Sequence, residues 1–140
     1  MKTIIIEADG ETHYEYIYIT DYPRVLNRDI EYEKRLIEEN LKDAEVHIVG
    51  YENKERWIDA IGDAVGILTA FLNMDKDIML ALPKLKYISV NASGYNTIDI
   101  EAANELGIKV AAIEEYCTDE VAEHTVMMIL ALARGLKHYI

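Results

Sequence analysis

Apolar and polar positions in this chain change period several times, and each change marks an element. Residues 3–8 form a β-branched run that meets Asp9-Gly10, a dipeptide suited to the positive φ angles of a tight turn. Tyr14, Tyr16 and Tyr18 then alternate with Glu15, Ile17 and Ile19, which puts three rings on one face of a strand. The pattern predicts a hairpin over residues 3–19. Its tyrosine face fits two descriptions, a ligand wall or an edge strand whose amphipathic rings cover the margin of the core.

Residues 28–41 shift to helical spacing, with Ile30, Leu36, Ile37 and Leu41 near one face. Residues 45–49 then predict a strand, 54–61 a helix and 64–69 a buried strand. The alternation repeats with a helix over 75–82 stopped by Pro83, a strand over 86–91, a short helix over 98–106 closed by Gly107, and a strand over 109–113. Strands alternating with helices imply parallel crossover units. The expected fold is therefore α/β: a flavodoxin-like, open, doubly wound, mostly parallel five-stranded sheet, helices on both faces, with a hairpin on its first strand. Ligands of such sheets sit beyond the carboxyl ends of the strands. Residues 69–72, 92–96 and 114–118 are the loops at that edge.

The last element is a long helix. Thr118 or Asp119 is placed to cap it, with Asp119, Glu120 and Glu123 near its start and Arg134, Lys137 and His138 near its end, matching both ends of the dipole. Residues 126–133 are apolar on every side, whereas a helix on the surface of one domain carries a single stripe. This helix calls for two neighbours. Residues 119–140 are accordingly set apart from a domain over residues 1–118, and the apolar face predicts a homodimer through residues 121–136 unless the chain's own loops cover it.

Composition narrows the function classes. A length of 140 residues, 51% apolar and 29% charged, describes one ordinary globular core. Asp and Glu outnumber Lys and Arg by 26 to 14, a balance that repels phosphates and argues against nucleic acid. No apolar run approaches the roughly 20 residues that span a bilayer, and the first residues lack a signal-peptide pattern, so no membrane association is expected. Cys117 is the single cysteine, which fits a reducing compartment, and a cytoplasmic location is expected. Its place before a helix would lower a thiol pKa, while Asp119 and Glu120 oppose that shift. His13, His47, His124 and His138 show no metal-ligand spacing, so no metal is expected, and neither a GxGxxG nor a GxxxxGK[ST] nor a GxSxG pattern occurs.

Candidate chemistry centres on Ser93-Gly94-Tyr95-Asn96, between a strand and a helix. Gly94 would let the backbone turn sharply and offer bare N–H groups to an anion. A purely structural strand-glycine-helix turn fits the same residues. Together with Thr97-Ile98-Asp99, Glu101-Ala102-Ala103, Leu106-Gly107-Ile108-Lys109-Val110, Tyr116 and Val121-Ala122-Glu123-His124, the segment resembles the N-terminal, substrate-side domain of the D-isomer-specific 2-hydroxyacid dehydrogenases in order and ungapped spacing. The resemblance is specific over residues 85–134 and looser over 1–84.

That resemblance implies an NAD- or NADP-dependent oxidoreductase acting on the CH–OH group of small 2-hydroxy acids, or on the matching 2-oxo acids. It implies that the backbone amides of Ser93 and Gly94 receive the substrate carboxylate and that Thr69 and Ala70 lie in a second substrate-facing loop. Tyr116 takes the place of an aromatic that closes over substrate in some members, or is a half-buried loop tyrosine. Asn96-Thr97 stands where the family often has Asp-Asn, and is read as a structural capping pair. The family's catalytic arginine, histidine and carboxylate have no counterpart in these residues. Glu123 and His124, adjacent on a helix, point about 100° apart, and His124 is read as a packing residue. The expectation is a chain truncated before its NAD-binding domain, with no catalytic residue, no cofactor bound and no hydride transfer of its own. A stand-alone small-acid-binding or helix-mediated interaction module is the alternative from another class.

Overall fold

The computed structural model describes residues 15–113 and 115–136. Its elements run β1 (Glu15–Asp21), α1 (Ile30–Asn40), β2 (Ala44–Gly50), α2 (Lys54–Ile61), β3 (Gly66–Thr69), α3 (Lys76–Leu80), β4 (Tyr87–Val90), α4 (Ile100–Glu105), β5 (Lys109–Ala112) and α5 (Thr118–Ala133). The five strands form one parallel sheet in the order β2-β1-β3-β4-β5, the doubly wound arrangement that the alternation of elements predicts. The order reverses at β1, which makes the carboxyl ends of β1 and β3 the switch point of the sheet, where ligands of such folds are expected.

Period-2 alternation sorts the strand residues between two cores. Ile17 and Ile19 of β1, Val46 of β2 and Leu68 of β3 pack with Ile30 and Ile37 of α1. Tyr18, Ile67, Ile88 and Val90 point the other way, onto Trp57 and Ile61 of α2, Ile78 and Met79 of α3, and Ala102 and Ala103 of α4. Helices thus lie on both faces, unequally. Beside α1 the sheet is open, and a groove of ≈ 210 Å³ there is lined by Ile17, Ile37, Leu41, Leu68 and Tyr87.

Sequence chemistry explains where the helices start and stop. Asp29, Asn53, Asp75 and Asp99 cap α1 to α4, each side chain accepting a backbone N–H of the first turn. The cap of α4 is therefore Asp99, not the Asn96-Thr97 pair. Gly107 ends α4 at φ +71, and the Ile108 N–H donates back to the Ala103 carbonyl at 2.8 Å, the six-to-one bond of a glycine-terminated helix. Cys117, not Thr118 or Asp119, stands at the N-cap of α5 and makes no side-chain cap bond; both expected caps lie inside the first turn.

The tyrosine face has a structural role. The first arm of the expected hairpin, residues 3–8, and Tyr14 lie outside the described residues. The second arm is β1, a central strand with parallel partners on both edges over residues 17–19, which leaves no edge there for an antiparallel arm. Tyr18 is 6% exposed, stacks on His47 at 5.3 Å, and donates its hydroxyl to Asp63 Oδ1 at 2.8 Å. Burial, then that bond and the Asp63 charge, raise its pKa well above the ordinary tyrosine value. The Tyr16 and Tyr18 rings pack at the margin of the core that holds Trp57 and Ile61 of α2.

Candidate functional site

Parallel pairing brings all five strand ends to one edge, and four of them are joined there by the bonds that follow. Asp21, the last residue of β1, is fully buried. Its Oδ2 accepts from the Ala70 N–H at 2.7 Å, the Phe71 N–H at 2.9 Å and the Thr69 hydroxyl at 3.1 Å, and its Oδ1 from the Tyr22 N–H at 2.8 Å. A buried carboxylate is tolerable only with such a shell of donors. The Asn91 N–H donates to the Thr69 carbonyl at 2.7 Å, and the Ile113 N–H to the Ala92 carbonyl at 3.1 Å. The ends of β1, β3, β4 and β5 are thereby linked in series.

The loop after β4 presents Ser93, Gly94 and Tyr95 to solvent. A bridge between Met74 and Ile98 ties it to the loop after β3, through Met74 N–H to Thr97 carbonyl at 2.9 Å and Asp99 N–H to Met74 carbonyl at 3.0 Å. Gly94 does not adopt a positive φ, because nine residues between β4 and α4 allow the reversal without one. A Cβ added there would touch Asn96 Oδ1 at 3.4 Å, so the glycine spares a close contact with that side chain and makes no sharp turn. On the far side, Glu33 takes Arg28 Nε at 2.7 Å and Arg28 Nη2 at 3.1 Å, and accepts from Asn91 Nδ2 at 3.4 Å. This ion pair braces the root of the same loop.

The other expected residues fall as follows. Thr69 and Ala70 lie at the predicted edge but are buried, with the threonine hydroxyl and the Ala70 N–H both directed at Asp21; Phe71 beside them is 58% exposed. Tyr116 is 62% exposed, and its hydroxyl is held above its ordinary pKa chiefly by a hydrogen bond with the Cys117 side chain. His124 is exposed on α5 and packs into no core. Asp21, Arg28 and Glu33 were not singled out by sequence reasoning. The available signal was a carboxylate closing a β-branched strand at the ligand edge, but neither its burial nor its partner loop can be read from the spacing.

The described residues do not fit a dinucleotide. A pyrophosphate needs a glycine-rich turn opening onto a free helix N-terminus. At this edge the N-termini of α1, α3 and α4 are closed by the carboxylates of Asp29, Asp75 and Asp99, and that of α2 by Asn53; α5 lacks a side-chain cap, but Glu115-Tyr116-Cys117 before it holds no glycine and its first turn carries Asp119 and Glu120. No group of three or more His, Cys, Asp or Glu able to hold a metal occurs among the described residues, and none of their helices is long and apolar enough to cross a membrane.

The chain as a whole matches a known family. Residues 18–135 match the D-isomer specific 2-hydroxyacid dehydrogenase catalytic domain. A putative 2-hydroxyacid dehydrogenase of Haemophilus influenzae is 34% identical over 86 residues, covering 61% of this chain and 27% of that protein. Among solved structures, NAD+-bound 3-phosphoglycerate dehydrogenase of Entamoeba histolytica superposes with a TM-score of 0.64 at 27% identity, over 85% of this chain and 39% of that one. D-Lactate dehydrogenase of Aquifex aeolicus, complexed with NAD and lactic acid, gives 0.66 at 25% identity, over 87% and 35%. The chain thus spans about a quarter of the curated relative and little more than a third of each structure. By the match over residues 18–135, the chain belongs to the D-isomer-specific 2-hydroxyacid dehydrogenases, through their catalytic domain.

Proposed function

We propose that this unit is the substrate-holding half of an oxidoreductase acting on small 2-hydroxy or 2-oxo acids. The observation that carries the reading is the solvent-facing Ser93-Gly94 turn, tied at both ends to the loop after β3 and lying within the matched family segment. Backbone amides of that turn receive the substrate carboxylate, which orients the neighbouring carbonyl for attack. Thr69 and Ala70 form the rigid floor, and Tyr116 closes over the bound acid. The nicotinamide and the proton relay come from outside residues 15–136, and this unit alone moves no hydride. A cytoplasmic location belongs to the same reading.

The test is a titration of the 140-residue chain with oxamate, a carboxylate-bearing stand-in for a 2-oxo acid, followed through backbone amide resonances. Shifts at Ser93 and Gly94 that saturate near a dissociation constant on the order of 1 mM are expected, because half a site supplies little more than about 4 kcal/mol. Absence of shifts in that turn at tens of millimolar would sink the reading.

The same reading includes a second copy of the chain. No residue of α5 is buried, and Val126, Met127, Met128, Ile129, Leu130 and Leu132 are all roughly half exposed or more. Such a surface is seldom left to water. Homodimerisation through residues 121–136 predicts a sedimenting species of twice the chain mass that Met128→Lys converts to monomer. A monomer at high concentration for both proteins would remove this part.

A further inference from the structure

Asp21 is a fully buried carboxylate for which the proposed substrate site has no direct use. It stands where the strand order reverses, with β2 on one side and β3 on the other. An apolar side chain in the same place would avoid the desolvation of a charge, so packing alone does not account for an acid there. Its four donors do. Three of them, the Thr69 hydroxyl and the Ala70 and Phe71 amides, come from the last residue of β3 and the loop that follows it. The Leu72 N–H donates in turn to the Thr69 hydroxyl at 3.3 Å, so three consecutive amides of that loop depend on one carboxylate.

The dependence extends to the next loop. Thr69 receives the Asn91 N–H at 2.7 Å, while Met74 holds Thr97 at 2.9 Å and Asp99 at 3.0 Å. Both ends of the segment carrying Ser93 and Gly94 are therefore attached to residues 69–74: one end at Thr69, which Asp21 holds directly, the other at Met74, two residues past the last amide that depends on Asp21. The cradle also has the chemistry of a carboxylate site: two backbone amides and a hydroxyl around one oxygen. By filling it from within, Asp21 keeps a second acid out.

We propose that Asp21 is the positioning residue of the acid-binding crevice, setting the loop after β3, holding the Ser93-Gly94 turn through it, and occupying a carboxylate cradle that would otherwise compete for ligand. The inference rests on the reading that Ser93 and Gly94 receive the substrate carboxylate.

Amide spectra of the 140-residue chain, titrated with oxamate, test it in Asp21→Asn and Asp21→Ala. About tenfold weaker oxamate binding is expected in both variants, equivalent to one charge-assisted hydrogen bond. In Asp21→Ala, oxamate should also shift the Ala70 and Phe71 amides, and formate should fill the cradle and return the affinity at Ser93 to within about threefold of the parent. A role in packing alone gives neither the relocated shifts nor the rescue. Variants that bind like the parent, with shifts at Ser93 and Gly94 intact, overturn the role of Asp21 and leave the carboxylate site standing; a parent that shows no shifts there overturns both. If both variants unfold, Thr69→Val decides, since it removes one donor without touching the acid. A two- to fivefold loss is then the order of magnitude expected, and an unchanged affinity is fatal.

Discussion

Trp57 illustrates how single side chains hold this fold. Its indole is 2% exposed, meets Tyr51 edge-on at 5.2 Å, and donates Nε1–H to the buried Thr20 hydroxyl at 2.6 Å, beside Asp21. Trp57→Phe keeps most of the apolar contact but strands that hydroxyl, and a loss of about 1–3 kcal/mol in urea unfolding is expected. Tyr18 carries a pH dependence. Its folded-state pKa is raised, chiefly by burial, so its contribution to stability is complete below the ordinary tyrosine pKa of about 10 and is lost as pH rises above it. Melting temperature should fall between about pH 10 and 11.5, and fall less steeply in Tyr18→Phe, which has no phenol to ionise; parallel curves for the two proteins would contradict this assignment. At this scale the sequence was legible where a residue acts through its own backbone, as at Gly107. It was silent where the partner is remote: Asp21 and its loop are 48 to 50 positions apart, and nothing in either segment names the other.

Elements were easier to read than residues, because period and caps are local. The helix over residues 54–61 appears with those bounds, since Asn53 accepts from the Glu55 and Arg56 N–H groups and Trp57 and Ile61 repeat on one face. The short helices α3 and α4 depend on caps more than on propensity, since five or six residues cannot sustain a helix in water. Asp99→Ala removes the bond to the Ala102 N–H at 2.9 Å and should cost about 1 kcal/mol, with faster hydrogen exchange confined to α4 and the Met74–Ile98 bridge. Exchange spread evenly over the sheet would show that the cap is not local. The pairing of the tyrosine strand could not be read in the same way: alternation fixes which residues share a face, but a ladder's neighbours depend on the whole topology.

Across the whole molecule, two features pull against compactness. The formal charge is −12, and the open sheet face beside α1 and the uncovered α5 leave apolar area in water. Burial on the α2–α4 side of the sheet is contiguous from Trp57 to Ile108 and is independent of α5, which contributes no buried residue. Stability and assembly are therefore separable: Met128→Lys should leave the unfolding free energy of the sheet within about 0.5 kcal/mol of the parent even as it alters association. Charge acts on the sheet itself. Self-repulsion of like charges is screened over about 10 Å at 0.1 M salt, whereas ion pairs such as Arg28–Glu33 and Lys76–Glu105 are partly exposed and contribute little. Repulsion dominates in that comparison, so raising sodium chloride from a few millimolar to 0.15 M should increase the melting temperature by about 2–4 °C, the equivalent of roughly 1 kcal/mol. A decrease on adding salt would mean that the exposed pairs outweigh the net charge, and charge-reversal at Glu105 would then be expected to destabilise the fold more than its exposure allows.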